Sequence, residues 1–298
     1  MNSRLALAAC LLVAAGCGPA PTGRGKALLG ALLLDGSGGP PLSNSIVIVE
    51  GDRIRAAGAR SAVPVPEDAD RVDGSGKVIV PAPIDACDRP DPPALVRAAS
   101  PDEARRAVEA LAVRKPAVAY LAESSPEAAE AALEAARSAG IPMLAFAATQ
   151  SAVRFLVDRG ASGLIGMIRD TEDLDPALVA RLRDLRIVVA PALAASGGSL
   201  AIAQRNTMRL YRAGVPIAAA SEGAGLPSEL ELLAAAGIPA LDVLVAATRN
   251  GALALHDADR GTIEAGRRAD LLVLSANPGA DIANLLKVSM RMTGGEWR

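Results

Sequence analysis

One four-residue phrase, alanine, glycine, a branched aliphatic residue and proline, occurs three times in this 298-residue chain, at 139–142, 213–216 and 236–239. Each copy is built to stop a helix. The glycine takes the left-handed conformation that ends one, and the proline two places later blocks its continuation. At 139–142 it closes an alanine- and glutamate-rich helix that opens at Ser125-Pro126, and the apolar run Met143-Leu-Ala-Phe-Ala147 follows as a strand. At 213–216 it leads into Ile217-Ala-Ala-Ala220, and at 236–239 into a helical segment over 240–248. Ser100-Pro-Asp-Glu103 is a capping box opening a helix to about 114, and Asp175-Pro176 caps another. Short apolar runs at 117–121, 164–165 and 187–190 complete an alternation of strand and helix. Such a rhythm builds an α/β fold on a parallel sheet.

The two ends of the chain read differently. Residues 26–83 hold short strands and turns, with strands at 27–34, 45–50, 53–57 and 77–80 expected to form a meander. Strand-like runs return at 270–274 and 288–292, before Thr293-Gly-Gly295.

The first residues form a leader. Arg4 supplies a positive charge, residues 5–13 an apolar run, and Ala14-Ala15-Gly16-Cys17 the small residues of a cleavage point. The apolar run is too short to span a bilayer comfortably. This stretch resembles a bacterial lipoprotein signal, which implies removal of residues 1–16, acylation of Cys17 and a lipid anchor in the cell envelope, at the periplasmic face of the outer membrane. An ordinary secretory signal is the alternative. Residues 17–25 then serve as a proline- and glycine-rich tether. Of the three cysteines, Cys10 leaves with the leader and Cys17 carries lipid, so Cys87 has no partner for an intramolecular disulfide. The formal charge of −2, with no stripe of lysine or arginine, excludes a surface built to neutralise nucleic-acid phosphates.

Two further stretches carry a resemblance. Ala246-Ala-Thr-Arg-Asn-Gly-Ala-Leu-Ala-Leu255 followed by Arg260-Gly-Thr-Ile-Glu-Ala-Gly-Arg-Arg-Ala-Asp-Leu-Leu-Val-Leu-Ser-Ala-Asn-Pro278 is similar to the closing signature of the amidohydrolase superfamily, imidazolonepropionase-like branch. Val78-Ile-Val-Pro-Ala-Pro-Ile-Asp-Ala-Cys-Asp-Arg89 resembles that family's first barrel strand. The resemblance implies a shortened or distorted TIM-like (β/α) barrel over 84–261. It also implies a small composite β-sandwich formed by 26–83 and 262–298. Counting from Ile84 gives six barrel strands where a full barrel has eight, and the second and third are expected to be deleted.

The family's chemistry rests on a metal at the C-terminal mouth of the barrel, where imidazole and carboxylate ligands activate a bound water. This chain departs from the pattern at each ligand position that can be matched. Cys87 and Arg89 stand for the first-strand histidines, Tyr120 lies near the lysine position, and Phe146-Ala-Ala148 replaces a His-x-His. Gly166 falls on a further histidine, and Glu222 replaces the last aspartate. The only histidine, His256, lies far in sequence from these positions. No catalytic residue, metal ligand or cofactor is therefore assigned, and the pocket candidates are Cys87, Asp88, Arg89, Tyr120, Phe146 and Glu222. An oxygen-ligand metal site made by Asp85, Asp88 and Glu222, an activated Cys87 thiol, and an anion nest at Ser196-Gly-Gly-Ser199 are the competing readings. The expectation is a pseudoenzyme that binds a small-molecule ligand or a protein partner. The alternatives are a divergent hydrolase of C–N bonds other than peptide bonds, and an envelope scaffold, possible as a homo-oligomer, that assembles through exposed strand edges.

Overall fold

The computed structural model describes residues 25–87 and 94–298. The leader, Cys17, the tether before Gly25, and the pocket candidates Asp88 and Arg89 lie outside them. In chain order the first elements are β1 (Lys26–Leu33), β2 (Leu42–Glu50), β3 (Arg53–Ala59), β4 (Asp70–Asp73), β5 (Val78–Pro81) and β6 (Leu95–Val96). The alternating part follows as α1 (Pro101–Arg114), β7 (Ala119–Leu121), α2 (Pro126–Ser138), β8 (Met143–Phe146), α3 (Gln150–Asp158), β9 (Gly163–Ile165), α4 (Pro176–Asp184) and β10 (Val188–Ala190). Then come α5 (Leu200–Arg212), α6 (Leu226–Ala235), α7 (Ala240–Ala246), α8 (Arg249–Ala254), β11 (Leu271–Leu274), β12 (Val288–Thr293) and β13 (Glu296–Trp297). Among the described residues, no helix is long and apolar enough to cross a membrane.

The helices start where their caps place them. Ser100, Ser125 and Thr149 each accept a hydrogen bond from the backbone N–H three residues on, and Asp175 from the one two residues on. Between these helices, β10, β9, β8, β7 and β6 pair side by side in that order, all parallel. The sheet continues past β10. Val189 N–H donates to Pro216 O at 2.9 Å and Ala218 N–H to Val189 O at 3.0 Å, which docks residues 217–220 as a further stave. Ala86 N–H donates to Ala219 O at 2.9 Å, adding residues 84–86 beyond it. Among the described residues no backbone hydrogen bond joins 84–86 to β6, so the ladder is open between its two outermost staves.

Side-chain alternation in the staves sorts two cores. Tyr120, Leu144, Ile165, Val188 and Ala218 point inward and pack together, while Leu121, Met143, Leu164, Val189 and Ile217 face the helices. The fold is thus α/β, a shortened TIM-like barrel wound by helices. One expectation is corrected here: a strand, β6, lies between Cys87 and Lys115, so one of the two barrel strands expected to be deleted is present. Two residues are too few to show a period of two.

The chain ends build a second sheet, ordered β13-β12-β11-β5-β1-β2-β3, with β4 also paired to β1. β5 lies antiparallel to β11, so a strand from each end of the sequence meets its counterpart at the centre. The sheet coils until its edges approach. Ile54 N–H donates to Arg267 O at 2.8 Å, and Lys26 Nζ pairs with Glu296 at 2.9 Å. Leu28, Val47, Ile54, Ile79, Leu271 and Met292 fill the space between. The meander expected of the first strands holds only for β1 to β3. β4 and β5 both run parallel to β1, because the long connection after β3 carries the chain back to β1's starting end.

Candidate functional site

The C-terminal ends of the staves converge on a cleft of about 350 Å³. Phe146 and Ala148 enter it from the end of β8, Gly166 from β9, Ala192 from β10, and Glu222 from the turn after the 217–220 stave. Arg97 arrives from β6, Glu123 from β7 and Arg169 from the loop after β9, so two guanidinium groups and two carboxylates share one mouth. Arg169 reaches across it, with Nη1 donating to Ala195 O at 3.4 Å. Glu222 holds a left-handed backbone at φ 42°, which only the flanking glycine-rich turn makes tolerable.

Of the pocket candidates, Phe146 and Glu222 line this cleft. Tyr120 lies beneath it, fully buried in the barrel interior, with its hydroxyl donating to Ala86 O at 3.2 Å. Cys87 is half-buried and packs against the same interior cluster. Asp85 is fixed from both sides: its Oδ1 accepts the backbone N–H of Cys87 at 2.8 Å and of Ser221 at 3.0 Å. That carboxylate ties the first stave to the last. His256 lies beside Asp85 and Tyr120 in a separate cavity of about 810 Å³, where burial lowers its pKa. Ser196 to Ser199, read as a possible anion nest, belong to two short 3-10 turns before α5.

One residue behind the mouth escaped the sequence reading. Glu229, on α6, is completely buried, and its two carboxylate oxygens accept the N–H groups of Leu193 and Ala194, each at 3.0 Å. These belong to the turn after β10, whose Ala192 is itself left-handed at φ 49°. Burial pushes the Glu229 carboxyl up to about 7, opposed by the two N–H donors and reinforced by the negative charges of Asp85 and Glu222. A signal was present: position 229 sits on the apolar stripe of Leu226, Leu230 and Leu233, at helical spacing.

The resemblance implies a metal at this mouth, and the donor set does not fit one. Among the described residues no group of three or more His, Cys, Asp or Glu side chains is placed to hold an ion. Glu229 and Asp85 turn their oxygens to backbone N–H groups. Gly166 excludes a ligand sterically. Its φ is 96°, and a Cβ there would lie 2.5 Å from Ala147 O, so this backbone admits no side chain at the position matched to a histidine.

Comparison with known proteins matches this fold. A family model described as the amidohydrolase family matches residues 96–298. No curated protein matches the sequence. Among solved structures, a putative prolidase from Bifidobacterium longum superposes with a TM-score of 0.78 at 22% identity, covering 92% of this chain and 94% of its own. Ochratoxinase from A. niger gives 0.76 at 16% identity, covering 92% and 95%. Molinate hydrolase gives 0.76 at 16%, covering 93% and 95%.

Proposed function

Because the chain belongs to the amidohydrolase family, a family of hydrolases, we propose that it is a pseudoenzyme: it keeps the barrel and composite sheet, lacks the metal centre, and binds a small charged ligand at the barrel mouth. The observation that carries this is the chemistry of the strand ends. Where the family places imidazoles, this mouth has Phe146, Ala148 and Gly166, and Gly166 stands in a backbone that leaves no room for a side chain. What the mouth offers instead is charge at its rim. Arg97 and Arg169 would hold a carboxylate or similar anion through paired N–H donors. The buried ring of Tyr120 and its apolar neighbours close the floor toward the barrel interior.

Metal analysis of the purified protein, with hydrolysis assays on cyclic amides and N-acylated amino acids, tests the proposal. Less than about 0.1 equivalent of bound divalent metal and no turnover are expected, against the near-stoichiometric content of a built site. Stoichiometric metal that survives dialysis, or turnover abolished by Glu222→Ala, overturns it in favour of a working hydrolase of C–N bonds.

The proposal extends to location. Acylated Cys17 would hold the domain at the periplasmic face of the bacterial envelope. A clickable fatty acid fed to the producing cells is then incorporated into the parent chain and not into Cys17→Ala, and equal labelling of both refutes the anchor.

A further inference from the structure

The mouth cleft does not end at Phe146. A second cavity of about 460 Å³ lies behind it, between α2 and α3. The two share Ala122, Glu123, Phe146, Ala147 and Ala148, the residues at the ends of the adjacent strands β7 and β8. The two chambers therefore adjoin at the C-terminal ends of two neighbouring staves, with Phe146 in the wall of both.

The chambers differ in chemistry. The second is walled by Ala129 of α2 and by Ala152, Phe155 and Leu156 of α3, and its hydroxyls are already committed. Ser124 Oγ donates to Ala122 O at 3.0 Å. Thr149 Oγ1 caps α3 by accepting Ala152 N–H at 3.2 Å, and it shares a hydrogen bond with Ser151 Oγ at 3.2 Å. Apart from Glu123 in the shared wall, a ligand within this chamber meets mainly apolar surface. Topology then places the charges. The sheet order β9-β8-β7-β6 puts Arg169, after β9, and Arg97, after β6, on opposite flanks of the β7–β8 ends that both chambers share.

We infer that the ligand is amphipathic: an anionic head held between Arg97 and Arg169, and an unbranched apolar tail that passes Phe146 into the chamber between α2 and α3. This rests on the ligand-binding reading above and names the ligand's class. Each chamber alone has the size of a small-molecule site, and a slot of this kind recognises length in its ligand as well as charge.

Titration calorimetry of the whole Cys17→Ala chain, free of lipid, with straight-chain monocarboxylates from acetate to decanoate tests the inference. Affinity should rise about fourfold for each added methylene until the chamber is full, then level off. The 1-alkanols of equal length should bind at least about tenfold more weakly, and Arg169→Ala should weaken octanoate by about tenfold. Ala152→Trp, which fills the chamber, should abolish the rise with length. Phe155→Ala, which enlarges it, should move the plateau to longer acids and stands as the second variant if the first fails to fold. An affinity independent of chain length, alkanols as good as carboxylates, or a plateau unmoved by Phe155→Ala overturns the inference, as does failure of every acid to bind. Those outcomes leave the metal and turnover results as they are, and turnover with a normal length response would overturn only the pseudoenzyme reading.

Discussion

The Glu229→Gln substitution keeps the shape of the side chain and removes its titration, so comparison with the parent chain isolates what ionising this carboxyl does to the fold. In the folded chain the group is pushed from 4.5 to about 7, chiefly by burial. A folded-state value above the unfolded one means that the native state holds this proton more tightly than the unfolded chain does. The stability it contributes is therefore complete below about 4.5 and is lost as pH rises through about 7. At 1.36 kcal/mol per tenfold change in proton affinity, the gap from 4.5 to about 7 corresponds to about 3 kcal/mol. The charged groups facing it, Asp85 and Glu222, are present in both proteins, so their own titrations largely cancel. The variant also turns an amide N–H₂ toward one of the Leu193 and Ala194 donors, a penalty of about 1–3 kcal/mol that does not depend on pH. Urea unfolding of both proteins at intervals from pH 4 to 8 measures the difference. The parent's unfolding free energy minus the variant's should fall by about 3 kcal/mol across that range, most steeply between 4.5 and 7. A constant difference refutes the reasoning: the two N–H donors would then solvate the carboxylate as well as water does.

Two further substitutions probe how a stave and the closing turn are held. Asp85→Ala leaves the N–H groups of Cys87 and Ser221 without their acceptor and should lower stability by about 2–4 kcal/mol, while Asp85→Asn, which retains Oδ1, should stay within about 1 kcal/mol of the parent; equal losses for the two would show that charge, not the two hydrogen bonds, fixes the staves. Gly261→Ala places a Cβ 2.8 Å from that of Ala252 and 2.9 Å from Thr248 O in a backbone at φ 92°, and should lower stability by about 2–3 kcal/mol in the same assay; a loss under about 0.5 kcal/mol would mean that the turn relaxes freely.

Legibility in the sequence followed the range over which each signal acts. The helix stops at Gly140 and Gly214 and the caps at Ser100, Ser125 and Asp175 are local, and the helices begin and end beside them. The parallel sheet followed from that alternation. β6 and β4 stayed hidden because two and four residues carry no usable periodicity, and their pairing is decided by partners far away in sequence, β7 and β1. At the site, Phe146 and Glu222 were placed at the mouth through the family resemblance. The inward burial of Tyr120 follows from its stave's alternation, but nothing local says that its ring lies below the cleft and outside its lining. Glu229 escaped because a glutamate in the first turn of a helix reads as an exposed residue favoured by the helix dipole. Only the leucines at 226, 230 and 233 mark it as inward-facing.

The part of the sequence that carries the family likeness is also the part whose bonds hold the barrel's last stave. Thr248 Oγ1, in the closing signature, donates to Leu244 O just before it at 2.7 Å. Asn250 Nδ2 donates to Ile217 O at 2.7 Å, fully within the protein, and so fixes the strand that ends in Glu222. Asp270 Oδ1 accepts Gly294 N–H at 2.6 Å and Arg268 Nε at 3.2 Å, joining β11 to the turn between β12 and β13. Loss of the Thr248 or Asn250 bond would strand a buried polar group, at about 1–3 kcal/mol each. The mouth obeys no such rule. Exchanging an exposed imidazole there for Phe146 or Ala148 leaves every one of these bonds in place, so scaffold and metal centre are separable in free energy as well as in sequence. The closing signature therefore speaks for the stave and the turn, and it contains none of the side chains that line the mouth.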